Sequence, residues 1–141
     1  MAKTKEVTVT WVQKQQFVGT DSSKHSVVIS SQSEENGTGM SPSQLLLLSL
    51  ASCSAYDVVN ILEKKRQKLS DLVVKVAGVN APEPPWPYTH ITMEYQVRGT
   101  GLKEKAVADA IHLSHTRYCS VAATLRPAVE IVTSYEIIED S

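Results

Sequence analysis

Two side chains dominate the chemistry available to this chain, the thiols of Cys53 and Cys119. Cys53 lies inside "LSLASCSAYDVVNIL", residues 48–62, where Ser49, Cys53, Asp57 and Asn60 recur at helical spacing. Such residues share one face, so the run reads as a greasy helix carrying one polar stripe. That stripe must meet partners or a water-lined cleft, because an unpaired buried polar group costs about 1–3 kcal/mol. Cys119 lies in "HTRYCSV", at the junction of one helix and the next. A thiol at a helix N-terminus feels a positive potential, and Arg117 nearby would add to it. Cys53 has neither aid, and Asp57 one turn later opposes its ionisation. Read locally, Cys119 is the more reactive thiol, and Cys53 needs a cation from elsewhere in the fold.

Other chemistries compete with thiol reactivity. A buried cysteine can be a small hydrophobe and nothing more. His112, His115 and Cys119 follow an H-x2-H-x3-C spacing that Cys53 or Asp57 could complete as a metal site. Against this, both histidines fit a solvated helix face and "YCSV" breaks the register, so no metal and no other cofactor is expected. Nucleic acid is not expected as a partner either, since the net charge is −1 and "EKKRQK" is a helix-terminal charge run without interleaved aromatics. Two cysteines are too few for a disulfide framework, and "MAKTKEVTVTWV" has no apolar core of signal-peptide length. The expectation is a cytoplasmic protein. Residues 45–62 are long and apolar enough to suggest a membrane span, but Asp57 and four other polar residues argue for a core helix instead.

The elements that must hold these residues follow from periodicity. The chain has 141 residues, 42% of them hydrophobic and 21% charged, which fits one soluble domain spanning residues 1–141. "EVTVTWV" alternates at the strand period, and "QFVGTDSSKHSVVIS" offers two more strands about a turn at Gly19, Asp21 and Ser22. Ser41 caps a helix that accepts Pro42 in its first turn and is expected to run to about Lys68, closing in cations. "DLVVKVAGV" and "HITMEYQVR" read as strands, the second with Ile91, Met93, Tyr95 and Val97 on one face. A helix with the stripe Leu102, Ala106, Ala110 and Leu113 follows, then an interruption at "TRYCS", a short helix "SVAATL" and a last strand "AVEIVTSYEIIE". The order predicts an α+β fold, a mostly antiparallel sheet wrapped around a long buried central helix. So long an apolar helix exceeds what a small sheet covers, which predicts a homodimer. The proline-dense "PPWPYTH" places Trp86 and Tyr88 as either a stiff surface loop or a cover for a pocket.

Taken together, "GMSPSQLLLLSLASCSAYDVVNILEKKR" and "LSHTRYCSVAATL" resemble the OsmC/Ohr family of thiol-dependent peroxidases, and within it the YhfA-like branch. The likeness runs from the N-terminal strands to the final "YEI". It implies an OsmC-like interleaved homodimer, with a long helix from each protomer in a shared core. It further implies that Cys53 attacks an organic hydroperoxide and that Cys119 resolves the resulting sulfenic acid, an antioxidant stress-response activity. A dithiol or lipoyl-type reductant would then reopen the bridge. Well-studied branches also place an N-terminal arginine and a glutamate beside the first cysteine. This chain has no arginine before Arg66, leaving Lys14 or Lys24, and it has Ser43 with Gln44 at the glutamate position. Asp57, Arg117 and Gln44 are therefore the candidate supporting residues. The alternative is a non-peroxidase protein of the same fold, binding a small apolar or thiol-reactive ligand at the dimer interface.

Overall fold

Residues 2–141 are described by a computed structural model. They fall into two compact units, residues up to Leu46 and from Leu47 onward, with one long helix running through the boundary. In the first unit, β1 (Val7–Gln13), β2 (Gln16–Asp21) and β3 (Ser26–Ser30) form an antiparallel sheet in the order β1-β2-β3. The β2–β3 turn is held by Asp21, whose Oδ1 accepts from the backbone N–H groups of Ser23 and His25 at 2.8 and 2.9 Å. Short polar side chains favour turns for this reason.

Helix α1 (Pro42–Lys64) begins as the sequence predicts. Ser41 Oγ accepts the backbone N–H of Gln44 at 3.3 Å as the helix cap and donates to the Gln44 side chain, which holds the hydroxyl in place. The helix ends at Lys64, earlier than the expected Lys68. There Arg66 turns left-handed at φ 57, while Arg66 N–H reaches Glu63 O and Gln67 N–H reaches Leu62 O, both at 2.9 Å. These two bonds close the helix as a Schellman motif, which satisfies its last carbonyls more fully than the cation run does.

The second unit packs α1 with α2 (Glu104–Leu113), α3 (Ser120–Leu125) and the strands β4 (Lys68–Asn80), β5 (Tyr88–Thr100) and β6 (Glu130–Glu139). Its sheet has the order β4-β5-β6. β4 and β5 form the expected antiparallel hairpin, whereas β6 runs parallel to β5. The helical connection between them explains this, since a crossover returns the chain to the end from which it left. Central β5 buries Ile91, Met93, Tyr95 and Val97, the face its alternation predicts. Against them lie Ala106, Val107, Ala110 and Ile111 of α2 and the α1 stripe Leu50, Ser54, Val58 and Leu62. Only that stripe of α1 is buried within one chain. Leu48 and Tyr56, the latter 76% exposed, leave the opposite side open, so one chain covers the helix only in part, as its length beside a small sheet predicts.

Candidate active site

The cysteines reach one another because α2 does not continue into α3. After Leu113 the chain takes a π-helical turn, Ser114–Tyr118, closed by a bond from Cys119 N–H to Ser114 O at 2.8 Å. Such turns add a residue to the helical circuit and are frequent at functional positions. The chain then extends at Cys119 (φ −77, ψ 104), which becomes the N-cap of α3. Its Sγ accepts the Ala122 N–H at 3.3 Å, the role a serine hydroxyl takes at other helix starts. This is the interruption that "TRYCS" announced, with a geometry that periodicity does not encode.

Sγ of Cys53, Sγ of Cys119 and a carboxylate oxygen of Asp57 all lie within 4.8 Å of one another. Both sulfurs are free thiols, Cys53 half-buried and Cys119 buried. A disulfide needs its sulfurs about 2.05 Å apart, so the two side chains must rotate to bond. Of the polar stripe on α1, Cys53 and Asp57 therefore turn into the site, while Ser49 and Asn60 face outward. The H-x2-H-x3-C reading is corrected by the same geometry: His112 and His115 are not in the cluster with Cys119. The π-helical turn separates them from it, leaving His112 exposed and His115 half-buried with an unpartnered Nδ1.

A chain of buried hydroxyls, none of them singled out by the sequence motifs, supports Asp57. Ser114 Oγ donates to Asp57 Oδ2 at 2.9 Å, Ser54 Oγ lies 2.9 Å from Ser114 Oγ, and the Tyr95 hydroxyl meets Ser54 Oγ in turn. Each hydroxyl has one proton. With Asp57 ionised, Ser114 spends its proton on the carboxylate, so Ser54 must donate to Ser114 and Tyr95 to Ser54. With Asp57 protonated the order can reverse, ending at Met93 Sδ, 3.9 Å from the phenol. The site thus has a hydrogen-bond chain with two polarities and an acceptor at each end. Burial, opposed by the Ser54 bond, holds the Tyr95 phenol above its ordinary pKa, so the tyrosine stays protonated. The signal in the sequence was small polar residues, Ser54 and Ser114, inside two otherwise apolar helical stripes.

The electrostatics remove the advantage that local sequence gives Cys119. Burial, then the neighbouring Cys53 sulfur, push the Cys119 thiol up to about 11. The Ala122 N–H pulls the other way but is outweighed. Desolvation of a thiolate exceeds the help of one short helix. Arg117, on the π-helical turn, is exposed. Among the described residues Asp57 forms no ion pair. Lys14 is engaged with Glu35 at 2.6 Å, and Gln44 caps α1. Trp86 is 57% exposed, its carbonyl held by Asn80 Nδ2 at 2.8 Å, whereas Tyr88 packs on the core. Tyr88 lies so close over Gly78 that a β-carbon there would sit 2.5 Å from its ring.

Known proteins sharpen this picture. Residues 33–134 match the family model described as OsmC-like protein. Protein YhfA of Escherichia coli K12 is 40% identical over 130 residues, 92% of this chain and 96% of that protein. The crystal structure of a hypothetical protein from Aquifex aeolicus VF5 superposes with a TM-score of 0.89 at 30% identity, covering 99% of this chain and 100% of that one. A structure described as an organic hydroperoxide resistance protein OsmC from Legionella pneumophila shares the fold, with a TM-score of 0.70 at 13% identity over 96% of this chain and 98% of that one.

Proposed function

From the premise that this chain belongs to the OsmC-like protein family, we propose that it is a thiol-dependent reductase of organic hydroperoxides. The observation that carries this reading is the approach of Cys53 and Cys119 Sγ to within 4.8 Å of one another, one half-buried and one buried. Cys53, the more accessible, is the nucleophile. Its proton passes to Asp57, and the thiolate attacks the terminal peroxide oxygen. The O–O bond breaks, the alkoxide leaves as the alcohol with the proton that Asp57 returns, and Cys53 becomes a sulfenic acid. Cys119 then attacks that sulfur, water leaves, and a disulfide joins the two residues. An external dithiol, of lipoyl type or a small thiol, restores the pair by exchange. Protonation of Asp57 is what the Ser114–Ser54–Tyr95 chain accommodates, by reversing toward Met93.

The working form is a homodimer in the cytoplasm, acting in defence against oxidative stress. Leu48 and Tyr56 on the open side of α1 support the dimer, since a second copy of the same helix would cover them. Sedimentation should give twice the chain mass. Reduced protein incubated with an organic hydroperoxide and a dithiol should consume peroxide, and Cys53→Ser should not. Equal consumption by both proteins would refute the reading. A wild type that leaves peroxide untouched would favour the ligand-binding alternative, which the absence of an ion pair to Asp57 supports.

A further inference from the structure

The same three side chains meet the requirements of a second kind of ligand. Two sulfurs and a carboxylate oxygen converge within 4.8 Å. Ligands sharing one tetrahedral zinc ion stand roughly 3.3–3.8 Å apart, given bond lengths of about 2.0–2.3 Å. Small side-chain rotations therefore close the set. The surroundings are those that ligands require: Ser114 Oγ fixes one oxygen of Asp57 at 2.9 Å and the Ala122 N–H fixes Cys119 Sγ at 3.3 Å. Such outer partners orient the side chains that coordinate a metal and are worth about ten- to hundredfold in affinity. Once the ion has displaced both thiol protons, two thiolates and a carboxylate face it with three negative charges, and among the described residues no ion pair offsets Asp57. Cys53 and Asp57 are only half-buried, so an ion has a way in and the fourth position stays open.

We propose that the reduced site captures one thiophilic divalent cation, of which zinc is the type, through Cys53, Cys119 and Asp57, and that oxidation of the thiol pair releases it. Two sulfur donors select this class of ion over magnesium or calcium. Capture exchanges two thiol protons for the ion. Release follows when an organic hydroperoxide takes two electrons from the two thiolates, its O–O bond breaking to alcohol and water with two protons from solvent, so that the S–S bond forms and the carboxylate is left alone, too few donors to hold the ion. As regulation of the thiol reading this rests on the proposed function, since a bound cation would occupy the nucleophile. Capture itself requires only the thiols.

The test uses the reduced, chelator-stripped full chain without oxygen, titrated with cobalt(II). One equivalent per chain should produce sulfur-to-cobalt charge-transfer absorption, and zinc should abolish it by displacement. Diamide, which makes the disulfide without any peroxidase activity, should release the ion completely. Cys53→Ser should lose the band, and Ser114→Ala should bind about ten- to hundredfold more weakly. Because substituting buried Cys119 can disturb the fold, the wild type supplies the matching measurement: one equivalent of zinc should protect both cysteines from alkylation, read by mass. No band at stoichiometric cobalt, a band that survives in Cys53→Ser or in the disulfide form, or unprotected thiols would each overturn the proposal. Peroxide consumption by the metal-free protein is scored separately, so cobalt binding without peroxidase activity, or the converse, shows which of the two readings has failed.

Discussion

Cys53 stands in the middle of an unbroken helix, half-buried, with an aspartate one turn away. Cys119 stands where two helices meet, buried, at the very position where a helix N-terminus should favour a thiolate. Local sequence favours the second as a thiolate, and the folded environment works against it. One short helix offers Cys119 a single N–H at 3.3 Å, whereas burial and a neighbouring sulfur raise its pKa to about 11. Solvation is lost over the whole thiolate while the hydrogen bond restores one contact, so desolvation wins. The pair divides naturally into an accessible sulfur and one kept in reserve as a protonated thiol.

The largest test of this division is to remove each sulfur in turn. Cys53→Ser should lower peroxide consumption by about a thousandfold or more, as loss of a nucleophile does. Cys119→Ser should instead complete the first attack and then accumulate sulfenic and sulfinic Cys53, detected by dimedone trapping and mass. The reverse pattern would exchange the two roles.

A pH series sharpens the comparison next. Below about 11 the Cys119 thiol is mostly protonated, and each pH unit toward that value multiplies its thiolate about tenfold. Disulfide formation from preformed Cys53 sulfenic acid should therefore steepen with pH and level off near 11, in quenched-flow mass measurements. A pH-independent rate would mean that Cys119 is ionised by something the buried site supplies. The same shift has a thermodynamic sign. The folded thiol keeps its proton at pH values where the unfolded thiol loses it, so reduced protein should lose stability between about pH 9 and 11 in urea titrations.

Smaller effects probe the surroundings. Ser114→Ala strips Asp57 of its donor and Ser54 of its acceptor in a fully buried position, and should cost about 1–3 kcal/mol in denaturant unfolding. Ser114→Thr, which retains the hydroxyl, should recover part of that. Arg117→Ala should change alkylation of either cysteine by less than about twofold, because an exposed cation is screened by solvent. A large effect would restore the role that sequence proximity suggested.

Much of the fold was readable because it depends on periodicity. The alternation of β5 names its buried face, and Ser41, Pro42 and Gln44 mark the start of α1. The end of α1 was misplaced because Arg66 takes a left-handed cap that glycine usually signals. The parallel β5–β6 pairing was likewise hidden, since strand direction follows from the path of the crossover and not from the strand's own residues. At the site, Cys53 and Asp57 were recognisable as helical neighbours, and Cys119 by its motif. The hydroxyl chain was not, because Ser54, Tyr95 and Ser114 lie on three different elements.

The sequence by itself determined which elements form, which faces they bury and which two thiols stand out, because these depend on spacing along one chain. Tertiary structure alone decided that the thiols meet, through a π-helical turn that re-aims Cys119, and that Asp57 joins them on a hydrogen-bonded support. It also decided that Cys119 holds its proton. Desolvation and through-space charge act between groups distant in sequence, and they come into being only when the chain folds around them.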